Sequence, residues 1–184
     1  FHQLGSDEIP DKLIQKADLV YFGSVMAMNQ MNNGGILDLF ERAHHYKKFT
    51  VMDAAMNDSE VSDWAKVLPP IFKETDIFFP SMLEASFIAG TNHIDQIRER
   101  FSSSGIRYLG IKLGGKGCYV TDFKEEKYIP CLENMPVVDT SGAGDSFMAG
   151  LICALSHGKT FFEAARFGTV IGSLNVGKKG ATGG

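Results

Sequence analysis

Asp139-Thr140-Ser141-Gly142-Ala143-Gly144-Asp145-Ser146-Phe147 opens a helix whose apolar face continues through Phe147, Leu151, Ile152 and Leu155. The small residues Gly142, Ala143 and Gly144 leave successive backbone N–H groups uncovered at that helix's N-terminus. Orphan donors and the positive end of the helix dipole together make an anion site. An acidic side chain inside an anion site repels what the site attracts. Asp145 has a reason to stand there if it takes a proton from a hydroxyl that attacks a bound phosphoryl group. Read in isolation, Gly-Ala-Gly-Asp is more simply a first-turn carboxylate complementing the dipole.

Upstream of this stretch, apolar runs alternate with amphipathic segments. Residues 18–23, 49–53, 76–79 and 108–113 read as buried strands, and 118–123 and 127–131 as two shorter ones. Helical spacing of apolar residues covers 36–43, 82–89 and 94–103, with a weaker, proline-interrupted signal over 64–72. Two more helices are predicted over 143–156 and 160–175, and a polar turn over 29–35. The first four strands are continuous apolar runs separated by helices. That pattern predicts an α/β fold, a mostly parallel sheet flanked by helices on both faces. Residues 1–184 read as a single domain without a repeat or a low-complexity linker.

Composition narrows the function. A net charge of -4 argues against nucleic acid as a partner, since phosphate backbones demand clustered positive charge. No run reaches the ~18–20 apolar residues of a membrane span, which argues against a membrane partner. Cys118, Cys131 and Cys153 form no Cys-x-x-Cys pair and read as free thiols in a reducing cytosol, hence a cytoplasmic protein. The 20 glycines exceed the usual ~7% and signal tight turns or close backbone approach. Phe1 in place of an initiator Met, and the loop-like ending over 180–184, predict part of a longer polypeptide.

The stretch 139–147, followed by Gly150, resembles the second signature of the ribokinase-like (PfkB-type) carbohydrate kinases. Gly114-Gly115-Lys116-Gly117 after a strand, Glu84 after Pro80, and the segment from Arg166-Phe167 to Lys179-Gly180-Ala181 fall in the family's order. The resemblance covers essentially the whole chain, as the C-terminal part of a family member. The family's N-terminal strands, its β lid and most of its sugar contacts have no counterpart here.

The resemblance implies a Mg-ATP-dependent kinase acting on a hydroxyl of a small sugar. It makes Asp145 the general base, and Gly142, Ala143 and Gly144 the anion hole. Lys112, Gly114 and Gly117 match the loop along the nucleotide, and Thr169 a position placed against adenine. Glu84 matches the acid that organises magnesium, usually through water. Here the family's Asn-x-x-Glu motif reads Ser81-Met82-Leu83-Glu84, with serine in place of asparagine. Taken alone, Glu84 is a solvated first-turn carboxylate. Asp139 and Ser141 match positions that in some members coordinate a monovalent cation such as K+. A homodimer stays open, because family dimers often form through the lid.

Other readings compete. A nucleoside or vitamin-like alcohol kinase shares the same anion hole, and a non-catalytic nucleotide-sensing homologue would not need Asp145. Gly110-x-x-x-x-Gly115-Lys116 is no P-loop, because Gly117 replaces Ser or Thr and a strand follows instead of a helix. Gly142-x-Gly144 lacks the third glycine of a dinucleotide fingerprint.

Overall fold

A computed structural model describes residues 4–28, 31–55 and 64–181. Asn29 and Gln30 of the expected polar turn, and residues 1–3 and 182–184 at the two ends, lie outside the described residues. The chain forms two compact units, Phe1–Leu109 and Gly110–Gly184.

The first unit contains strands β1 (Leu19–Val25), β2 (Phe49–Ala54) and β3 (Ile77–Phe78), and the start of β4 (Tyr108–Lys112). They pair in parallel, with Leu19 opposite Phe49, Val51 opposite Ile77, and Ile77 opposite Tyr108. Parallel neighbours need crossover connections, and helices supply them. After α1 (Asp11–Lys16), α2 (Ile36–His45) joins β1 to β2 and α3 (Trp64–Lys73) joins β2 to β3. Helices α4 (Met82–Ala89) and α5 (Ile94–Ser102) lead from β3 to β4. Val51, Met52, Ile77, Phe78 and Leu109 are fully buried, as strands covered on both faces require.

Phe72, Phe78 and Phe101 tie α3, β3 and α5 together, with ring centroids 5.1–5.6 Å apart. Helix α3 runs unbroken through Pro69 and Pro70, where the sequence predicts an interruption. The carbonyls deprived of their i+4 donors belong to Ala65 and Lys66, both exposed residues that water can serve. At the N-terminal ends of β2 and β3, the buried Asp76 accepts from Thr50 N–H at 3.0 Å and from the Arg107 guanidinium at 3.0 Å. Thr50 Oγ1 in turn accepts from Asp76 N–H at 2.9 Å, and His44 reaches Glu74 at 2.7 Å and Asp76 at 3.2 Å.

The second unit holds the antiparallel pair β5 (Cys118–Thr121) and β6 (Glu126–Ile129), with Cys118 opposite Ile129. Helices α6 (Ala143–Ser156) and α7 (Phe161–Asn175) complete it, α7 being capped by the reciprocal Thr160–Glu163 pair. Their backbones approach closely at Gly150, Gly168 and Gly172. A Cβ on Gly168 would lie 2.7 Å from the Phe147 carbonyl, so only glycine permits this crossing. The contact aligns the first turn of α6 with the face of α7 that carries Thr169 and Ser173. Among the described residues, no helix is long and apolar enough to cross a membrane.

Candidate active site

The second unit encloses a cavity of about 560 Å³, within the size range of small-ligand sites. Lys112, Gly114, Gly117, Ala143, Gly144 and Thr169 all line it. Residues separated by up to 57 positions in sequence thus converge on one volume.

Three elements build its walls. The end of β4 delivers Lys112, and the glycine turn closes behind it: Leu113 N–H donates to Gly117 O at 2.8 Å, and Gly117 N–H to Gly114 O at 2.9 Å. Strand β5 follows directly, as expected of a turn that is not a P-loop. From α7, Thr169 Oγ1 donates to Ala165 O at 2.9 Å and lies 3.3 Å from Cys118 Sγ. Burial pushes the Cys118 thiol up to about 11, against the opposing pull of the Thr169 hydroxyl. Ser173 Oγ donates to Thr169 O at 2.8 Å and accepts from Leu132 N–H at 3.2 Å, fixing the loop that follows β6.

The third wall is the N-terminus of α6. Gly142 is its N-cap in the left-handed region (φ 74°), with no side-chain cap over the first-turn donors. Asp139 holds the preceding turn in shape. Its Oδ1 accepts from Ser141 N–H at 2.9 Å and its Oδ2 from Gly180 N–H at 2.9 Å. These backbone hydrogen bonds, Ser141's first, hold the Asp139 carboxyl below the usual aspartate range. Asn175 Nδ2 donates to Ala181 O at 2.9 Å, while its buried Oδ1 accepts nothing from the described residues. Asp145 stands in the first turn of α6, is exposed, and does not line the cavity. Gly142, Asp139 and Ser141 are likewise not among its lining residues.

The pfkB family carbohydrate kinase model matches residues 2–184. This chain belongs to the pfkB family of carbohydrate kinases. It is 29% identical over 153 residues to 2-dehydro-3-deoxygluconokinase of Bacillus subtilis, covering 81% of this chain and 43% of that protein. It is also 29% identical to an uncharacterized sugar kinase of Archaeoglobus fulgidus, covering 95% and 67%. Among solved structures, Arabidopsis thaliana ribokinase complexed with ribose and ATP superposes with a TM-score of 0.79. That pair is 24% identical, covering 98% of this chain and 56% of the ribokinase, and the likeness shows the shared fold. The chain thus spans about two fifths to two thirds of the curated relatives described.

Within this pfkB chain, the serine at the family's asparagine position has a local use. Ser81 is the N-cap of α4: its Oγ accepts from Glu84 N–H at 3.3 Å, and Glu84 Oε2 accepts from Ser81 N–H at 2.6 Å. The exchange is a reciprocal capping box, so Ser81 and Glu84 satisfy two orphan donors of their own helix. Glu84 belongs to the first unit and is not among the residues that line the cavity. The cavity also has walls that sequence reasoning missed: Leu132, Met135, Val137, Phe147, Ser173 and Val176. Leu132 and Val137 lie in an irregular segment with no apolar period, so pattern reading had nothing to find there.

Proposed function

We propose that residues 1–184 are the C-terminal, nucleotide-binding and catalytic portion of a longer, cytoplasmic Mg-ATP-dependent kinase that phosphorylates a hydroxyl of a small sugar or sugar derivative. One observation carries the reading. The glycine turn, Thr169 and the uncapped N-terminus of α6 share one cavity, with Asp145 one residue beyond Gly144 and outside that cavity. A nucleotide can fill the cavity while Asp145 remains exposed to a second substrate.

In this reading Lys112, Gly114, Gly117 and Thr169 lie along the nucleotide, against the apolar wall of Leu132 and Val176. The N–H groups at Gly142 and Gly144 hold charge that develops on the transferring phosphate, whereas the N–H of Ala143, the third residue of the expected anion hole, donates to Thr140 O at 3.2 Å. Preorganised donors of this kind each lower a barrier by roughly 3–4 kcal/mol. Asp145 accepts the proton of the acceptor hydroxyl as that oxygen attacks the γ-phosphorus, and ADP departs with the electron pair of the broken P–O bond.

Glu84 fits a magnesium role through water: Oε2 already accepts one hydrogen bond, and a carboxylate has further lone pairs for a metal-bound water. Magnesium neutralises phosphate charge when bound. Asp139, Ser141 and the orphaned Asn175 Oδ1 fit a monovalent cation such as K+, since each offers an oxygen in or beside the turn before α6. The three free cysteines fit a cytoplasmic location.

The test is ATP-dependent phosphorylation by the complete polypeptide across sugars, sugar acids and nucleosides, with Asp145→Asn alongside. Turnover of a sugar, reduced about 100-fold or more by the Asn variant, supports the reading. Turnover of nucleosides alone moves the assignment to a nucleoside kinase. ATP binding without any turnover moves it to a nucleotide sensor.

A further inference from the structure

Helices α6 and α7 form a separate groove on the turn side of their close approach at Gly150 and Gly168. It measures about 470 Å³, within the size range of small-ligand sites, and shares no lining residue with the candidate active-site cavity. Val170 lines the groove, whereas Thr169 before it lines the cavity. Ala154, Phe167 and Val170 make the lining apolar, and Phe167 is 44% exposed. Lys159, Glu163 and Arg166 supply its charges. Glu163 Oε2 accepts from the Thr160 N–H at 2.9 Å and from the Thr160 hydroxyl at 2.8 Å, so helix capping occupies it. Lys159 attracts Glu163 only at longer range, and Arg166, three positions along α7, forms no salt bridge with it. Neither cation hydrogen-bonds to another of the described residues. Two cations against one acid leave the lining net positive, in a chain whose net charge is -4.

We propose that this groove is a ligand site for a small organic carboxylate, whose aromatic or aliphatic body covers Ala154, Phe167 and Val170 while its carboxylate meets Arg166 and Lys159. The chemistry of the lining selects that class. A purely polar anion would leave the apolar lining wet, and a neutral apolar molecule would leave both cations unused. The planar guanidinium fork matches the two oxygens of a carboxylate, and the lysine adds a point charge. His157 fixes one wall: its Nδ1 lies 2.8 Å from the Cys153 carbonyl oxygen, which only accepts, so the ring donates there. The site does not depend on the kinase reading, because none of its residues takes part in phosphoryl transfer.

Cys153 provides the readout, since it is exposed, lines the groove and lies 4.0 Å from His157 Nδ1. The complete polypeptide is alkylated with iodoacetamide at pH 8, and the rate at each cysteine is followed by peptide mass spectrometry. The probe is phenylbutyrate, with phenylbutanol as its neutral counterpart. Saturating phenylbutyrate should slow alkylation of Cys153 about 5-fold or more and leave Cys131, in the other cavity, unchanged. Phenylbutanol should need about 10-fold more for equal protection, and Arg166→Gln should weaken phenylbutyrate by a similar factor. Lys159→Gln should weaken it about 3-fold. No protection of Cys153, equal protection by acid and alcohol, or protection that survives Arg166→Gln undiminished overturns the proposal. Protection of Cys131 in place of Cys153 overturns it by moving the acid to the other cavity. Protection by a penta-glutamate peptide and not by phenylbutyrate overturns it in favour of a protein partner. If Arg166→Gln fails to fold, the comparison of acid with alcohol on the wild type decides.

Discussion

The Cβ that Gly142 lacks would stand 2.7 Å from the carbonyl oxygen of Ala181. That carbonyl is held in place by Asn175 Nδ2, and the neighbouring Gly180 N–H is held by Asp139. The N-terminus of α6 is thereby clamped to the segment after α7, and the first-turn N–H groups inherit their aim from that clamp. Gly142→Ala both closes this gap and forces a side chain to φ 74°. We expect it to destabilise the protein by about 1–3 kcal/mol and to weaken nucleotide binding, read by thermal unfolding and titration calorimetry. Unchanged melting and affinity would show that the clamp is unimportant.

Asp139 makes the same turn sensitive to acid. Its carboxyl is depressed below the ordinary value of 3.8 by the Ser141 and Gly180 N–H groups. A depressed folded-state value means that the stabilisation is fully present above the unfolded-state value. It declines as pH falls below about 3.8 and is lost once pH drops through the folded-state value. Amide exchange at Ser141 and Gly180 should therefore accelerate below about pH 4 before the rest of the unit opens. Asp139→Asn should abolish this step, and its persistence in that variant would assign it elsewhere.

The cysteines offer a footprint of the cavity. Cys118 is buried with its thiol raised to about 11, so it stays protonated and shielded near neutral pH. Cys131 lines the cavity and Cys153 is exposed. Iodoacetamide at pH 8 should label Cys131 and Cys153 and spare Cys118, and saturating ATP should protect Cys131 alone. Equal labelling of Cys131 with and without ATP would place the nucleotide outside this cavity.

Asp76 is the polar keystone of the first unit. Asp76→Ala leaves the buried Thr50 N–H and the Arg107 guanidinium without the carboxylate they now donate to. The expected loss is about 3 kcal/mol in urea unfolding. A loss below about 1 kcal/mol would mean that water replaces the carboxylate.

Much of the fold was legible because its periods are local. The bounds of α4 and α6 match the apolar spacing over 82–89 and 143–156, and the four continuous apolar runs became four parallel strands. The weaker helical signal over 64–72 became α3, which continues through Pro69 and Pro70 because the carbonyls left without donors face water. The short helix α1 was missed, with only Ile14 buried to mark it. Ser81 read as the loss of an asparagine, because its gain as a helix cap appears only when the backbone is closed.

Identity along the chain determined the family and the helix end that presents uncovered N–H donors. It did so because a glycine-rich turn before an apolar stripe has few other backbone solutions. Only the tertiary structure decided which residues share a cavity. It set Lys112 beside Gly144, left Asp145 out of the cavity lining, and recruited Leu132 and Val137 from an aperiodic segment. The physical reason is range. Hydrogen-bond caps and apolar periods act over a few residues, whereas a cavity is made where β4, α6 and α7 meet, and side-chain packing between distant elements fixes that meeting.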